Sequence, residues 1–148
     1  MTETPTNQNS PGGKDVLELI KNMTPTLQPE TFIWTTFHDR TLSFSQVAQL
    51  LCDFRVQMLF QEAEGWTAIL PQDTQIPESA SSSLVSRMIT LNVYSSLEAV
   101  GFMKVITERL AARGLSVNPV SAYFHDHLFV PAGDVGFTME VLKEMARG

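Results

Sequence analysis

The sequence predicts an α+β protein in which antiparallel sheets carry helices on one face. Two observations lead to this. Met88 to Tyr94 alternates, placing Ile89, Leu91 and Val93 on one side of a strand, whereas Val100, Met103, Ile106 and Leu110 recur at helical spacing just after it. Across Arg87 to Met145 the order is strand, helix, strand, strand, helix, a split βαβ arrangement whose helices share one face.

Residues 1–13 are rich in Thr, Asn, Pro and Gly and read as a disordered tail with no apolar leader. From Asp15, a candidate N-cap, Val16, Leu17 and Ile20 mark one helical face up to Met23, since Thr24 precedes Pro25. Phe32 to Phe37 is aromatic and β-branched, a strand. Phe44, Val47, Leu51 and Phe54 then follow a helical spacing, with Ser43 or Ser45 as cap. Val56–Gln61 and Trp66–Leu70, joined through Glu64-Gly65, read as a hairpin. Residues 74–86 contain Pro77 and the run Ser79–Ser83 and read as a linker. Residues 14–73 and 87–148 then form two domains.

In the second domain Ser95 and Ser96 are natural caps for a helix opening at Glu98 or Ala99 and stopped by Gly114. Leu115 to Phe124 is a strand whose Pro119 confines it to an edge or a bulge. Asp126 sits in a tight turn before the strand Leu128–Val130. Val135, Met139, Leu142 and Met145 face inward from a last helix.

Composition removes several functional classes. With 148 residues, 43% hydrophobic content and nine Phe, the chain can build a core. A net charge of −6 with scattered basic residues argues against nucleic-acid or membrane partners. No apolar run approaches the ~20 residues a membrane span needs. A single cysteine, Cys52, allows no disulfide; it reads as a buried thiol in a reducing, cytoplasmic protein. No nucleophile–base constellation or cofactor fingerprint is present. Glu62 and Glu64 flank a hairpin tip and read as solvated.

Two places hold candidate chemistry. Ser95-Ser96-Leu97-Glu98-Ala99-Val100-Gly101 would present the N–H groups of a helix start, which hold a carboxylate without a basic side chain. From spacing alone, simple capping by Ser95 and Ser96 is the favoured reading. His125-Asp126-His127 places two imidazoles at i, i+2, but His38 lies in the other half and too few ligands remain for a metal. Asp126 is then a turn pivot, or an acceptor for a ligand ammonium.

Ile89 to Phe102 and Val120 to Pro131, with Phe60-Gln61-Glu62-Ala63-Glu64-Gly65-Trp66-Thr67 in the first half, resemble the small two-part ACT-domain proteins. The C-terminal part is similar to the ACT domains of the CASTOR arginine sensors and of aspartate kinases. The resemblance covers Lys14 to Met145. It implies tandem ACT-like (ferredoxin-like βαββαβ) units and an amino acid held where two units meet. By the same resemblance Ser95, Ser96, Leu97, Glu98, Ala99, Val100 and Gly101 form the ligand loop, with Asn118, Tyr123 and Asp126 beside it. The loop departs from the D-x-P-G form of many ACT domains. The fourth strand of the second unit is also missing after Met145, so the first half or a second subunit must complete the sheet.

The leading expectation is a non-enzymatic amino-acid sensor that needs no cofactor and forms a homodimer. The rivals are a dimeric interaction module with a vestigial pocket and a small enzyme using the His125/Asp126/His127 cluster.

Overall fold

The computed structural model describes residues 13–148; apart from Gly13, the expected tail lies outside them. The elements run α1 (Val16–Asn22), β1 (Thr24–Phe37), α2 (Phe44–Leu50), β2 (Met58–Glu62), β3 (Gly65–Pro71), β4 (Ala80–Asn92), α3 (Phe102–Ala112), β5 (Asn118–Ser121), β6 (Asp126–Pro131), a 3-10 turn (Ala132–Asp134) and α4 (Val135–Arg147). All strands join one sheet of order β2-β3-β1-β4-β6-β5, and each neighbouring pair is antiparallel.

That order is two ferredoxin-like units sharing their central strands. The first unit is β1-α2-β2-β3 and borrows β4 as its outer neighbour. The second is β4-α3-β5-β6-α4 and borrows β1. The missing fourth strand of the second unit is therefore β1 of the same chain. Helix α1 follows this exchange: Leu19 and Met23 pack with Ile89, Leu91, Ile106 and Leu142 in the core of the second unit.

The alternation of the strands sorts the core into two faces. Ile89, Leu91, Leu128 and Val130 lie under α1, α3 and α4, and Phe37, Ala68 and Leu70 lie under α2 with Val47 and Leu51. On the opposite, helix-free face Phe32, Ile69, Met88 and Phe129 form a third cluster, with Trp34, Met58 and Val120 packed against it. Phe129 takes an edge-on contact from both Phe32 and Trp34, each with centroids 5.7 Å apart.

Several elements differ from the sequence expectation, each for a local reason. β1 begins eight residues early despite Pro25 and Pro29. Its pairing with β3 starts only at Phe32, so Pro25 lies where β1 has one neighbour, and Pro29 falls inside the irregularity between Leu27 and Thr31. There the Arg87 guanidinium donates to the half-buried Gln28 carbonyl at 2.9 Å. The serine run expected as linker is strand from Ala80 onward. A bulge with Leu84 at φ 54° re-registers it against β1. On α1 the buried residue is Leu19, and Leu17 is exposed. Cys52 is exposed, just past the end of α2. Asp126 is not a turn pivot but the first residue of β6. The turn lies before it, closed by the Ala122 N–H on the His125 carbonyl at 3.0 Å. Gly114 ends α3 as expected, the Leu115 and Gly114 N–H groups donating to Leu110 and Ala111. β5, with Pro119, is an edge strand.

Candidate functional site

The loop after β4 does not open a helix at Glu98 or Ala99. Ser96 uses its hydroxyl to accept from the Glu98 N–H at 3.1 Å and its carbonyl to accept from the Ala99 N–H at 2.9 Å, making a free-standing turn. Gly101 follows at φ 92°, a left-handed conformation that reverses the chain into α3. The helix thus begins three or four residues late, at Phe102. Val100, expected inward, is exposed, and Phe102, Ile106 and Leu110 make the buried stripe.

Because the N-cap is a glycine, no side chain caps α3. Its first N–H groups have no intrahelical partner and carry the positive end of the helix dipole. Opposite them lies Asp126, 7% exposed and the one ionisable side chain in the buried set among the described residues. Its carboxylate accepts from the Ser95 hydroxyl at 3.2 Å. It takes part in none of the ion pairs among the described residues.

Between these groups is a cavity of about 180 Å³, lined by Ser95, Ser96, Leu97, Ala99, Gly101, Phe102, Met103, Lys104, Ser121, Ala122 and Asp126. Six of the ten expected ligand residues therefore meet here. Glu98 points away to an ion pair with Lys14 at 2.8 Å, which holds its carboxyl below the usual range. Val100 is exposed. Asn118 starts β5 on the helix-free side, and Tyr123 is exposed in the turn, edge-on to Phe124 at 4.8 Å. Sequence reading missed Phe102, Met103 and Lys104, which the later helix start brings to the cavity. It also missed Ser121 and Ala122. The pairing of Ser121 with Asp126 places them there, and only the true start of β6 reveals it.

All lining residues belong to the second unit. The segment before α1 braces them: the Gly13 N–H donates to the Tyr94 carbonyl at 2.8 Å, and the Gly13 carbonyl accepts from the Ser96 N–H at 2.9 Å.

The His125/Asp126/His127 cluster does not converge. Alternation sends Asp126 toward the helices and His127 to the other face, where its Nδ1 meets the Thr90 hydroxyl at 3.0 Å. That hydroxyl also accepts from Gln28 Nε2 at 3.0 Å. His125 Nδ1 lies 3.2 Å from the Val93 carbonyl. Burial, then the neighbouring His125, hold the His127 pKa below its usual value, with Asp126 opposing. No group of three potential metal ligands occurs among the described residues.

The ACT domain family matches twice, over residues 11–75 and residues 83–144. The chain belongs to the ACT-domain proteins. Its two ACT units follow one another and together cover most of its length. No curated protein matches the sequence. Among solved structures, a Vibrio cholerae protein of unknown function, described as a possible transport protein, is 29% identical. It covers 88% of this chain and 94% of its own, with a TM-score of 0.73. The ligand-free regulatory subunit of aspartate kinase from Thermus thermophilus shares the fold at 10% identity, covering 85% and 97%, with a TM-score of 0.68. Aspartokinase III of E. coli, in complex with aspartate and ADP, shares it at 14% identity, covering 84% of this chain and 34% of that one, with a TM-score of 0.66.

Proposed function

We propose that this ACT-domain protein is a non-catalytic regulatory protein that binds a small amino acid in the cavity of its second unit and works as a homodimer. The observation that carries the reading is the buried Asp126 carboxylate facing the uncapped start of α3. A carboxylate taken out of water without a cation is costly, and a ligand ammonium group relieves that cost. The free N–H groups of Phe102 and Met103 supply the complementary place for a ligand carboxylate. An α-amino acid carries both charges one carbon apart. The cavity volume of about 180 Å³ suits a short side chain, below the ~300 Å³ of sites for drug-sized ligands. Leu97, Ala99 and Met103 favour an uncharged one, and the exposed Lys104 in the first turn of α3 adds a cation on the side of the ligand carboxylate.

The aspartate kinase regulatory subunit among the structural neighbours supports a regulatory role through its fold. An enzyme built on His125, Asp126 and His127 has no support, since these side chains point to different surroundings. The interaction-module reading keeps one observation in its favour: Leu97, Val100 and Tyr123 stand exposed, at 66%, 86% and 62%, in the two loops that supply cavity-lining residues.

Titration calorimetry against the twenty amino acids tests the proposal. Heat is expected with one or more small neutral amino acids and not with Asp126→Asn. Absence of heat with every amino acid would sink the amino-acid reading and leave the interaction module.

A further inference from the structure

The sheet has helices on one side only, and the composition of its bare side is unusual for a surface that faces water. Among the paired strand positions that register places there, the ionisable side chains are Glu62, at the hairpin tip, and His127; at its margins His38 meets the Ser81 hydroxyl and Glu30 is neutralised by Arg55. The centre is the half-buried Trp34 and Met58, which lie over the buried Met88 and Phe129, and around Trp34 lie the hydroxyls of Thr36, Thr67, Ser81 and Ser83. A shallow hollow of about 250 Å³ opens beside the Trp34 ring. Phe60 stands 60% exposed on the same side. An aromatic and methionine centre, depleted of charge and rimmed by small polar groups, is the composition of a protein interface core.

We propose that this helix-free face packs against the same face of a second copy of the chain. The inference rests on the homodimer reading above and assigns its surface. Charge selects the occupant. Each chain carries −6, so two copies repel wherever charged surfaces meet. The bare face is the broad surface that adds almost no like-charge repulsion when it meets itself. A two-fold dimer needs such a self-complementary patch.

The area is adequate. Six strands about 4.8 Å apart, paired over roughly six residues of about 3.3 Å rise, give a face of roughly 600 Å². Two such faces bury roughly 1,200 Å², the lower end of stable specific interfaces and above the ~800 Å² of adventitious contacts. The cavity beside Asp126 lies on the helix side of the sheet, so this dimer leaves it open in both protomers.

Sedimentation of the full chain tests the inference. Ser83 is exposed and Thr36 is exposed, so a charge at either is compatible with the fold. The wild-type chain is expected to sediment as a dimer. Ser83→Glu and Thr36→Glu are each expected to sediment as monomers with unchanged circular dichroism and unchanged amino-acid heats. A wild-type monomer at every concentration overturns the homodimer itself. A dimer that persists in both variants overturns the face and moves the contact to a sheet edge.

Discussion

The two units start their first helix from the same place in the fold, and they finish it differently. In the first unit, α2 opens on Ser43, whose hydroxyl accepts from the Gln46 N–H at 3.2 Å. The Gln46 side chain accepts from the Ser43 N–H at 2.8 Å, a closed capping box. The adjoining strand position, paired with Phe37, is Trp66, whose indole N–H donates to the Leu42 carbonyl of the same loop at 2.8 Å. In the second unit the helix opens on Gly101 with no side-chain cap. The corresponding strand position, paired with Leu91, is Asp126. One helix start is sealed by its own side chains and a large ring. The other is left open, with a buried carboxylate across from it. Local bonding alone thus turns one fold into a structural element in the first unit and a candidate receptor in the second.

The largest expected effect comes from the sealed side. A methyl group on Gly65 would lie 2.4 Å from the Phe37 carbonyl oxygen, and its φ of 141° suits only glycine. Gly65→Ala should therefore cost about 3 kcal/mol, read by urea denaturation; a loss under about 1 kcal/mol would show that β3 shifts freely. Next come the two serines. Ser43→Ala should cost about 1 kcal/mol and Ser96→Ala only a few tenths, because Ser96 caps a turn and no helix. Equal losses would erase the contrast between the two starts. Asp126→Asn should leave the ligand-free protein as stable or up to about 1 kcal/mol more stable, since it removes an unpaired buried charge. A clear destabilisation would mean that the carboxylate is structural.

The smallest effect is the pH response of His127. Its folded pKa is depressed by burial, so its contribution is fully present above the unfolded value of about 6.5 and is lost as the pH falls from there through the folded pKa. Melting temperature should drop between pH 7 and pH 5, and less so in His127→Gln. Identical profiles would remove His127 as the source.

How far the sequence led depended on whether the cause was local. The Phe32–Phe37 strand, the hairpin through Gly65, the stop at Gly114 and the edge position of Pro119 all follow from nearby residues. The first half of β1 was hidden by Pro25 and Pro29, which are harmless only because β3 does not reach them. The serine run of β4 carries no apolar alternation, and its strand character comes from pairing with β1, some fifty residues away. At the site, the loop and Asp126 were visible, but the helix start was displaced by Gly101, whose left-handed turn no periodicity reveals. Asn118 and Tyr123 were drawn in by resemblance; the register puts Asn118 on the helix-free side, and Tyr123 stands exposed in the turn after β5.

The exchange of β1 and β4 also bears on how the protein comes apart. Each unit lacks its outer strand until the other supplies it, so neither half has a complete sheet of its own. Two fragments divided in the 72–79 connection would each present an unsatisfied strand edge, and mixing them would be the way to recover the native fold. By the same exchange the molecule is expected to unfold as a single cooperative unit, in which a ligand held beside Asp126 would raise the stability of the distant α2 as much as that of α3.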